Sequence, residues 1–221
     1  MAPRAVLFDF DGVIADTENH HIAAWQRTLM ALGWQVPDEV AARSAEIDDR
    51  EFLRELFARQ GIEDGDIEGW VRRKQALTIR LIRDSPRLYP GVTDLVAQLR
   101  GRVRMAIVSG TWRENVEAVA GAPGLEGAFE FIIGKDDVAA VKPDPEAYRL
   151  AVRRLAIEPR QAVAIEDSPT GIAAARAAGI PCIAVGHRRE FGEWVAEGIY
   201  FSGLEPVSGL IRHLGLDRRA R

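Results

Sequence analysis

Five short apolar segments alternate with segments of helical pattern along most of the chain. The apolar segments are nearly continuous, which is typical of strands that are buried on both faces of a sheet. They occupy residues 5–10, 103–109, 129–133, 162–167 and 181–185. Strands that alternate with helices form βαβ units, in which neighbouring strands run parallel and helices cover both faces. The pattern therefore predicts an α/β fold with a Rossmann-like parallel sheet.

Residues 17–86 interrupt this alternation, because they contain no convincing strand. Instead, apolar residues recur there at helical spacing in three segments, at residues 21–33, 51–61 and 68–84. We therefore predict an α-helical domain at residues 17–86 that is inserted into an α/β core. The core is expected to comprise residues 1–16 and 87–221.

The composition excludes some classes of partner. The chain has a formal net charge of −4, so it lacks the basic surface with which proteins bind nucleic acids or anionic membranes. Its single cysteine, Cys182, cannot form a disulfide within the chain, and its apolar segment predicts a buried side chain. Neither a secretory signal nor a membrane-spanning segment is evident, so we expect a cytoplasmic protein.

Polar residues cluster where the predicted strands end. In an open parallel sheet, the carboxyl ends of the strands meet at one edge, and ligands bind there. Lys142 lies in the loop AAVKPDP, just before a helical segment. The other residues of this set are Asp9 and Asp11 after the first strand, Ser109, Gly110 and Thr111 after the second, and Glu166 and Asp167 after the fourth.

These groups fit together chemically. Four carboxylates at one edge would repel one another without a cation, and their hard oxygens suit Mg²⁺. Ser109, the backbone N–H groups that follow it and Lys142 are donors suited to a phosphate. The combination predicts phosphoryl transfer, in which a carboxylate can be the nucleophile and form an aspartyl-phosphate. Each motif alone also fits a helix cap, a turn or a solvated loop, but their ordered combination favours the catalytic interpretation.

The motifs DFDGVIADTE, VSGT, KPDP and IEDSPTGIAAARAAG occur in this order. Together they closely resemble those of the haloacid dehalogenase superfamily. The similarity is strongest to the branch that contains β-phosphoglucomutase, phosphoglycolate phosphatase and related sugar-phosphate phosphatases. This resemblance implies that residues 17–86 form a mobile helical cap. It also implies an enzyme that acts on a small phosphorylated metabolite with Mg²⁺, and we expect it to be a monomer.

The resemblance implies a role for each motif residue. Asp9 matches the nucleophile that becomes phosphorylated and also binds Mg²⁺. Asp11 matches the general acid and base, whose backbone carbonyl reaches the metal. Ser109 matches the phosphate-binding hydroxyl, and Gly110 and Thr111 are expected to contribute to the same site.

The two later motifs supply charge. Lys142 matches the lysine that neutralises the nucleophile and the phosphate. Asp167 matches a metal-binding acid, with Glu166 beside it as a further ligand or as a partner of one. Gly12 would let the chain turn toward the cap. The acid at Asp11 separates this chain from the dehalogenases, which expel a halide and need no proton donor for the leaving group.

Three residues of the predicted cap are expected to bind the substrate: Glu18, His21 and Lys74. The resemblance places His21 and Lys74 where cap residues of the mutase approach the active site. Both also fit solvent-exposed positions on helices, and this alternative remains open at the level of the sequence.

Three overall functions are compatible with these residues. A phosphatase is favoured over a hexose-phosphate mutase. The resemblance implies that the mutase binds a second phosphate through an arginine of the cap, and Asp48 and Asp49 lie near the corresponding place in this chain, where they would repel that phosphate. Arg43 and Arg50 are close to that place but out of register. A non-catalytic protein that binds a phosphorylated metabolite is disfavoured, because every core motif residue is present.

Overall fold

The computed structural model describes residues 2–45, 47–187 and 199–217. The chain divides into two compact units. One comprises Met1–Asp16 and Arg87–Arg221, and the other comprises Thr17–Pro86. The two segments of the first unit are hydrogen-bonded to each other at the residues that flank the second unit. There the backbone N–H of Asp16 donates to the carbonyl of Arg87 at 2.8 Å.

The first unit contains a six-stranded sheet in which all neighbouring strands run parallel. Its strands are β1 (Ala5–Phe8), β2 (Arg104–Val108), β3 (Ile132–Ile133), β4 (Ala162–Glu166), β5 (Cys182–Val185) and β6 (Ile199–Phe201). Their order in the sheet is β3-β2-β1-β4-β5-β6. All four residues of β1 are buried, as expected for a central strand covered on both faces. The predicted Rossmann-like α/β fold is confirmed.

The strands differ from the predicted segments in length and number. β1 ends at Phe8, so Asp9 is the first residue beyond the strand. β3 retains only two residues of the predicted segment 129–133. β6 was not predicted, because it has three residues and two of them, Ile199 and Tyr200, are exposed. A short, exposed edge strand lacks the continuous apolar run that identifies the buried ones.

The second unit is helical in its described part. It contains α1 (Glu18–Met30), α2 (Asp38–Ala42), α3 (Asp49–Arg59) and α4 (Ile67–Asp84). The five-residue α2 was not predicted, whereas the other three helices coincide with the three predicted segments to within three residues at each end. Trp25, Phe52 and Val71 belong to a buried apolar cluster, in which the Trp25 and Phe52 rings lie edge-on with centroids 5.0 Å apart. This unit therefore has a core of its own.

In its described part, the first unit contains the helices α5 (Val92–Leu99), α6 (Arg113–Ala120), α7 (Glu146–Arg154), α8 (Pro169–Ala177) and α9 (Val207–His213). α8 begins as predicted, because Ser168 Oγ accepts the Gly171 N–H at 3.1 Å and Pro169 occupies the first turn. Within the described ranges, no helix combines the length and the apolar character needed to cross a bilayer.

Cys182 begins β5 with a free, partly buried side chain. Burial, followed by the nearby charge of Glu166, raises the pKa of its thiol well above the usual value. Because the thiolate is the reactive form of cysteine, this residue is a packing residue of the sheet and a poor nucleophile.

Candidate active site

Asp9 lies at the carboxyl edge of the sheet. Its backbone N–H donates to the carbonyl of Ile165 on β4 at 2.9 Å, which extends the pairing of β1 and β4 by one residue. The residue is only 6% exposed, so its carboxylate needs a partner inside the protein. Lys142 supplies that partner, with its Nζ 2.5 Å from Asp9 Oδ1.

The ammonium of Lys142 has three N–H donors, and the protein provides three acceptors. Nζ donates to Asp9 Oδ1, to Glu166 Oε1 at 2.6 Å and to the backbone carbonyl of Val108 at 2.9 Å. Burial by itself favours the neutral amine, but the two carboxylates outweigh it and raise the pKa of Lys142 above its ordinary value. Lys142 is therefore a fixed positive charge between two carboxylates.

Glu166 closes β4 and is completely buried. Its Oε1 accepts hydrogen bonds from Lys142 Nζ and from the Tyr148 hydroxyl, each at 2.6 Å. Its Oε2 has no hydrogen-bond partner among the described residues. Burial, followed by repulsion from Asp9, raises the pKa of Glu166 to about 7. A buried carboxylate oxygen without a hydrogen-bond partner lowers the stability of the folded protein, unless a ligand interacts with that oxygen.

Tyr148 is a residue of this site that motif analysis does not identify. It lies on the buried face of α7 beside Ala147, three residues after the KPDP motif. A buried tyrosine needs a partner for its hydroxyl. That requirement is the only indication of its role that the sequence contains, and it does not say which residue is the partner.

A cluster of three carboxylates lies at this edge of the sheet. Asp9, Glu166 and Asp167 each offer an oxygen, and the three oxygens lie within 4.8 Å of one another. Two glycines leave room for them. A Cβ at Gly12, whose φ is +85°, would lie 1.9 Å from Asp167 Oδ2, and a Cβ at Gly171 would lie 2.0 Å from Glu166 Oε2. Converging carboxylates with an unpaired buried oxygen fit a divalent cation that prefers oxygen ligands.

Ser109, Gly110 and Thr111 follow β2, which is the neighbour of β1 in the sheet. The Ser109 N–H donates to the carbonyl of Ile133 at 2.9 Å, and Ser109 Oγ accepts the Thr111 N–H at 3.1 Å. Thr111 Oγ1 in turn accepts a hydrogen bond from the buried side-chain amide of Asn115 at 2.9 Å. These bonds hold the loop in one conformation beside the strand end.

Asp11 lies two residues beyond Asp9, in a turn that is closed by the Gly12 N–H donating to the carbonyl of Ala15 at 3.1 Å. The residue is half-buried, and its carboxylate is not part of the three-carboxylate cluster. The atom of Asp11 that is expected to bind the metal is its backbone carbonyl oxygen. That contact and its acid–base role remain predictions.

The sequence profile of one protein family, the haloacid dehalogenase-like hydrolases, matches residues 3–179. This range includes the carboxylate cluster, Lys142 and the loop after β2. The chain belongs to the haloacid dehalogenase-like hydrolases. The resemblance predicted from the four motifs is confirmed.

Individual relatives of this hydrolase agree with that assignment. Protein CbbY of Cereibacter sphaeroides is 36% identical over 205 residues, which cover 81% of this chain and 83% of that protein. The phosphorylated carbohydrates phosphatase of Thermotoga maritima is 32% identical over 179 residues, which cover 80% of this chain and 82% of that protein. The crystal structure of CbbY from Rhodobacter sphaeroides in complex with phosphate matches with a TM-score of 0.79 and 32% identity, and covers 93% of this chain and 96% of that one. These matches confirm the predicted enzyme class and support phosphatase activity.

Three predicted site residues of this hydrolase, Glu18, His21 and Lys74, lie in the helical unit. Glu18 begins α1 and is exposed. His21 is half-buried, and its Nδ1 lies 2.9 Å from Lys74 Nζ. Because an ammonium group can only donate, Nδ1 is the acceptor in this bond. Binding of the substrate by these three residues remains a prediction.

Lys74 is 1% exposed, so the alternative of a solvent-facing helix charge is wrong. Its Nζ lies 2.9 and 3.0 Å from the two carboxylate oxygens of Asp49, which is also buried. The Trp25 indole N–H donates to the same carboxylate at 3.1 Å. The helical unit therefore contains a buried ion pair between α3 and α4, with a third hydrogen bond from α1.

This ion pair corrects one argument made from the sequence. Asp49 was expected to repel a second phosphate together with Asp48, but its charge is already neutralised by Lys74. Asp48 is exposed, and its Oδ1 caps α3 by accepting the Arg50 N–H at 2.9 Å. Asp48 Oδ1 also lies 4.0 Å from Arg50 Nη1. Both carboxylates thus have a cationic partner, and the support for a phosphatase comes from the relatives instead of from repulsion.

We expect Lys74→Met to destabilise the protein by about 3–5 kcal/mol, because it leaves the buried Asp49 carboxylate without its cation. Thermal unfolding followed by calorimetry measures the effect. Arg80→Met is the matched control, since Arg80 is an exposed residue of the same helix, and it should change Tm little. The double variant Lys74→Met/Asp49→Leu should recover part of the loss. If Lys74→Met and Arg80→Met both change Tm by the same small amount, the ion pair has no structural role.

Proposed function

We propose that this hydrolase is a Mg²⁺-dependent phosphatase. It hydrolyses a small, sugar-derived phosphomonoester through an aspartyl-phosphate on Asp9. The observation that carries the proposal is the arrangement around Asp9, in which one carboxylate is hydrogen-bonded to a buried ammonium and lies beside two further carboxylates. This arrangement suits phosphoryl transfer, in which catalysis is mostly positioning and neutralisation of charge.

The two compact units take different roles in this proposal. Residues 1–16 and 87–221 form the catalytic core, and residues 17–86 form the cap. Glu18 and His21 belong to the substrate-binding set, and Lys74 contributes through its hydrogen bond to His21. We further propose that the enzyme acts as a monomer in the cytoplasm.

The cation would be held by Asp9, Glu166 and Asp167, together with the backbone carbonyl of Asp11. When bound, Mg²⁺ supplies positive charge that offsets the negative charge of the phosphate oxygens and of the nucleophile. The unpaired Oε2 of Glu166 and the space left by Gly12 support this assignment.

The reaction proceeds in two steps at the side chains of the core. In the first, a carboxylate oxygen of Asp9 forms a bond to phosphorus, the bond between phosphorus and the ester oxygen breaks, and Asp11 gives its proton to that oxygen. Hydrogen-bond donors from Ser109, Gly110 and Thr111 hold the phosphoryl oxygens. In the second step, the oxygen of a water molecule forms a bond to phosphorus while Asp11 takes a proton from that water. The bond between phosphorus and the Asp9 oxygen breaks, which releases phosphate and restores the Asp9 carboxylate.

We propose for Lys142 a narrower role than the one that the resemblance implies. Its three N–H donors are already engaged by Asp9, Glu166 and Val108. In this proposal Lys142 therefore acts on the nucleophile, by holding the Asp9 carboxylate in place and offsetting its charge. Burial raises the pKa of Asp9 above its ordinary value, and the attraction to Lys142 offsets part of that rise.

The substrate class is proposed from the relatives. The Thermotoga maritima protein is a phosphatase of phosphorylated carbohydrates, and the Rhodobacter sphaeroides CbbY crystal contains phosphate. The identity and coverage of these matches support a similar substrate here.

The test is release of inorganic phosphate from 4-nitrophenyl phosphate and from a panel of sugar phosphates. We expect activity with Mg²⁺, loss of activity in EDTA and recovery when Mg²⁺ is restored. Ca²⁺ should bind but support little turnover, because its larger and looser coordination shell misplaces the reacting groups. Full activity in EDTA would refute the metal dependence, and no phosphate release from any ester would refute the phosphatase.

Mutase activity is the alternative outcome, and one incubation decides it. The protein is mixed with β-glucose 1-phosphate, Mg²⁺ and a trace of glucose 1,6-bisphosphate. We expect inorganic phosphate and little glucose 6-phosphate. Rapid formation of glucose 6-phosphate without matching phosphate release would identify a mutase. Arg43 or Arg50 would then be candidates for the second phosphate site.

A further inference from the structure

Tyr148 contacts the active-site charges but takes no part in the proposed reaction. It is fully buried on α7, and its hydroxyl donates to Glu166 Oε1 at 2.6 Å. Hydrogen bonds of this length from a hydroxyl to a carboxylate are among the strong ones in proteins. Lys142 Nζ also lies 5.3 Å from the centroid of the tyrosine ring, within the range of a cation–π contact. Tyr148 therefore contacts both Glu166 and Lys142.

The hydrogen bonds to Glu166 are asymmetric. Lys142 and Tyr148 both donate to Oε1, so this oxygen is held by two groups from different elements. Oε2 is left without a hydrogen-bond partner in the described part of the chain. Gly171 leaves the space that Oε2 occupies, because a Cβ at that position would lie 2.0 Å from Oε2. The carboxylate is thus restricted in rotation, with one oxygen left available.

We propose that Tyr148 is a positioning residue whose hydroxyl fixes the orientation of Glu166, so that Oε2 remains available as a ligand for the divalent cation. This inference rests on the proposed function, which assigns the cation to Asp9, Glu166 and Asp167. Tyr148 itself touches neither the cation nor the substrate. Since it acts through a metal ligand, its loss should affect metal affinity and turnover but not recognition of the phosphate ester.

Tyr148→Phe isolates the hydroxyl, because phenylalanine keeps the aromatic ring next to Lys142. We expect the dissociation constant for Mn²⁺, measured by electron paramagnetic resonance without substrate, to rise by about 10–100-fold, the usual effect of removing a partner of a metal ligand. At saturating Mg²⁺, kcat for 4-nitrophenyl phosphate should fall by about tenfold or more, whereas KM should change by less than about twofold.

Tyr200→Phe is the matched control, because it removes the same hydroxyl from an exposed tyrosine on β6. This variant should bind Mn²⁺ and turn over substrate like the wild type. Tm is measured for both variants. If Tyr148→Phe lowers Tm but binds Mn²⁺ as tightly as Tyr200→Phe, Tyr148 only packs the core and the proposal is overturned. Weaker Mn²⁺ binding by Tyr148→Phe alone supports the proposal.

The failure of this proposal can be told apart from the failure of the proposed function. A wild-type protein that binds Mn²⁺ but releases no phosphate would refute the phosphatase, and the Mn²⁺ affinities of the two variants would still decide the role of Tyr148. An active wild type with unchanged Mn²⁺ affinity in Tyr148→Phe would refute only the role of Tyr148. A wild type that binds no divalent cation would refute both.

Discussion

Replacing Asp9 by asparagine should reduce phosphate release by about 10⁴-fold or more, the scale of loss found when a catalytic nucleophile is removed. An amide does not attack phosphorus at neutral pH, and Lys142 would also lose one of the two carboxylates that accept its hydrogen bonds. The measurement is kcat for 4-nitrophenyl phosphate at saturating Mg²⁺.

The matched control is Asp94→Asn, which makes the same change at an exposed position of α5 and should retain wild-type activity. A second measurement addresses the covalent step directly. Wild-type protein quenched with acid during turnover should carry a phosphoryl group on the peptide that contains Asp9, and the Asp9→Asn variant should not. An Asp9→Asn variant that keeps more than a few per cent of wild-type kcat would rule out the nucleophilic role.

Asp11→Asn should slow the hydrolysis of alkyl phosphates by about 10²–10⁴-fold, the usual contribution of general acid–base catalysis. An alkoxide is a poor leaving group unless it is protonated, whereas 4-nitrophenolate leaves without a proton. The loss in kcat/KM should therefore be smaller for 4-nitrophenyl phosphate than for a sugar phosphate. The measurement is kcat/KM for a series of esters ranked by the pKa of their leaving groups.

Asp94→Asn again serves as the control and should leave the whole series unchanged. Equal losses for aryl and alkyl esters would exclude Asp11 as the general acid. They would be consistent instead with a structural contribution of Asp11 to the turn in which the Gly12 N–H donates to the carbonyl of Ala15.

The parallel sheet could be predicted because its central strands are buried on both faces, and such strands are continuous apolar runs. The polar residues after those runs could be placed at one edge because parallel strands share a carboxyl end. The positions of Asp9 and Glu166 at this edge therefore follow from the pattern of apolar runs alone. β6 and α2 do not, since a strand of three residues and a helix of five carry too little periodicity.

Apart from the pairing of Lys142 with Asp9, which the resemblance implies, the partners of the charged residues could not be predicted. Tyr148 and Glu166 are 18 residues apart, and Lys74 and Asp49 are 25 residues apart. Their hydrogen bonds depend on how helices pack on the sheet or on one another, and periodicity states only which face of a helix is buried. For this reason the sequence does not identify Tyr148, and it predicts a free negative charge at Asp49, which Lys74 neutralises.

The sequence by itself determined the α/β fold and the family, because the first depends on local patterns and the second on motifs in a fixed order. The tertiary structure alone decided how the charges other than Lys142 and Asp9 are paired. It commits all three donors of Lys142 to the protein, leaves one oxygen of Glu166 without a hydrogen bond to any residue that the structure describes, and buries Lys74 against Asp49. These outcomes are set by distances of about 3 Å between groups from different elements, the range over which hydrogen bonds form.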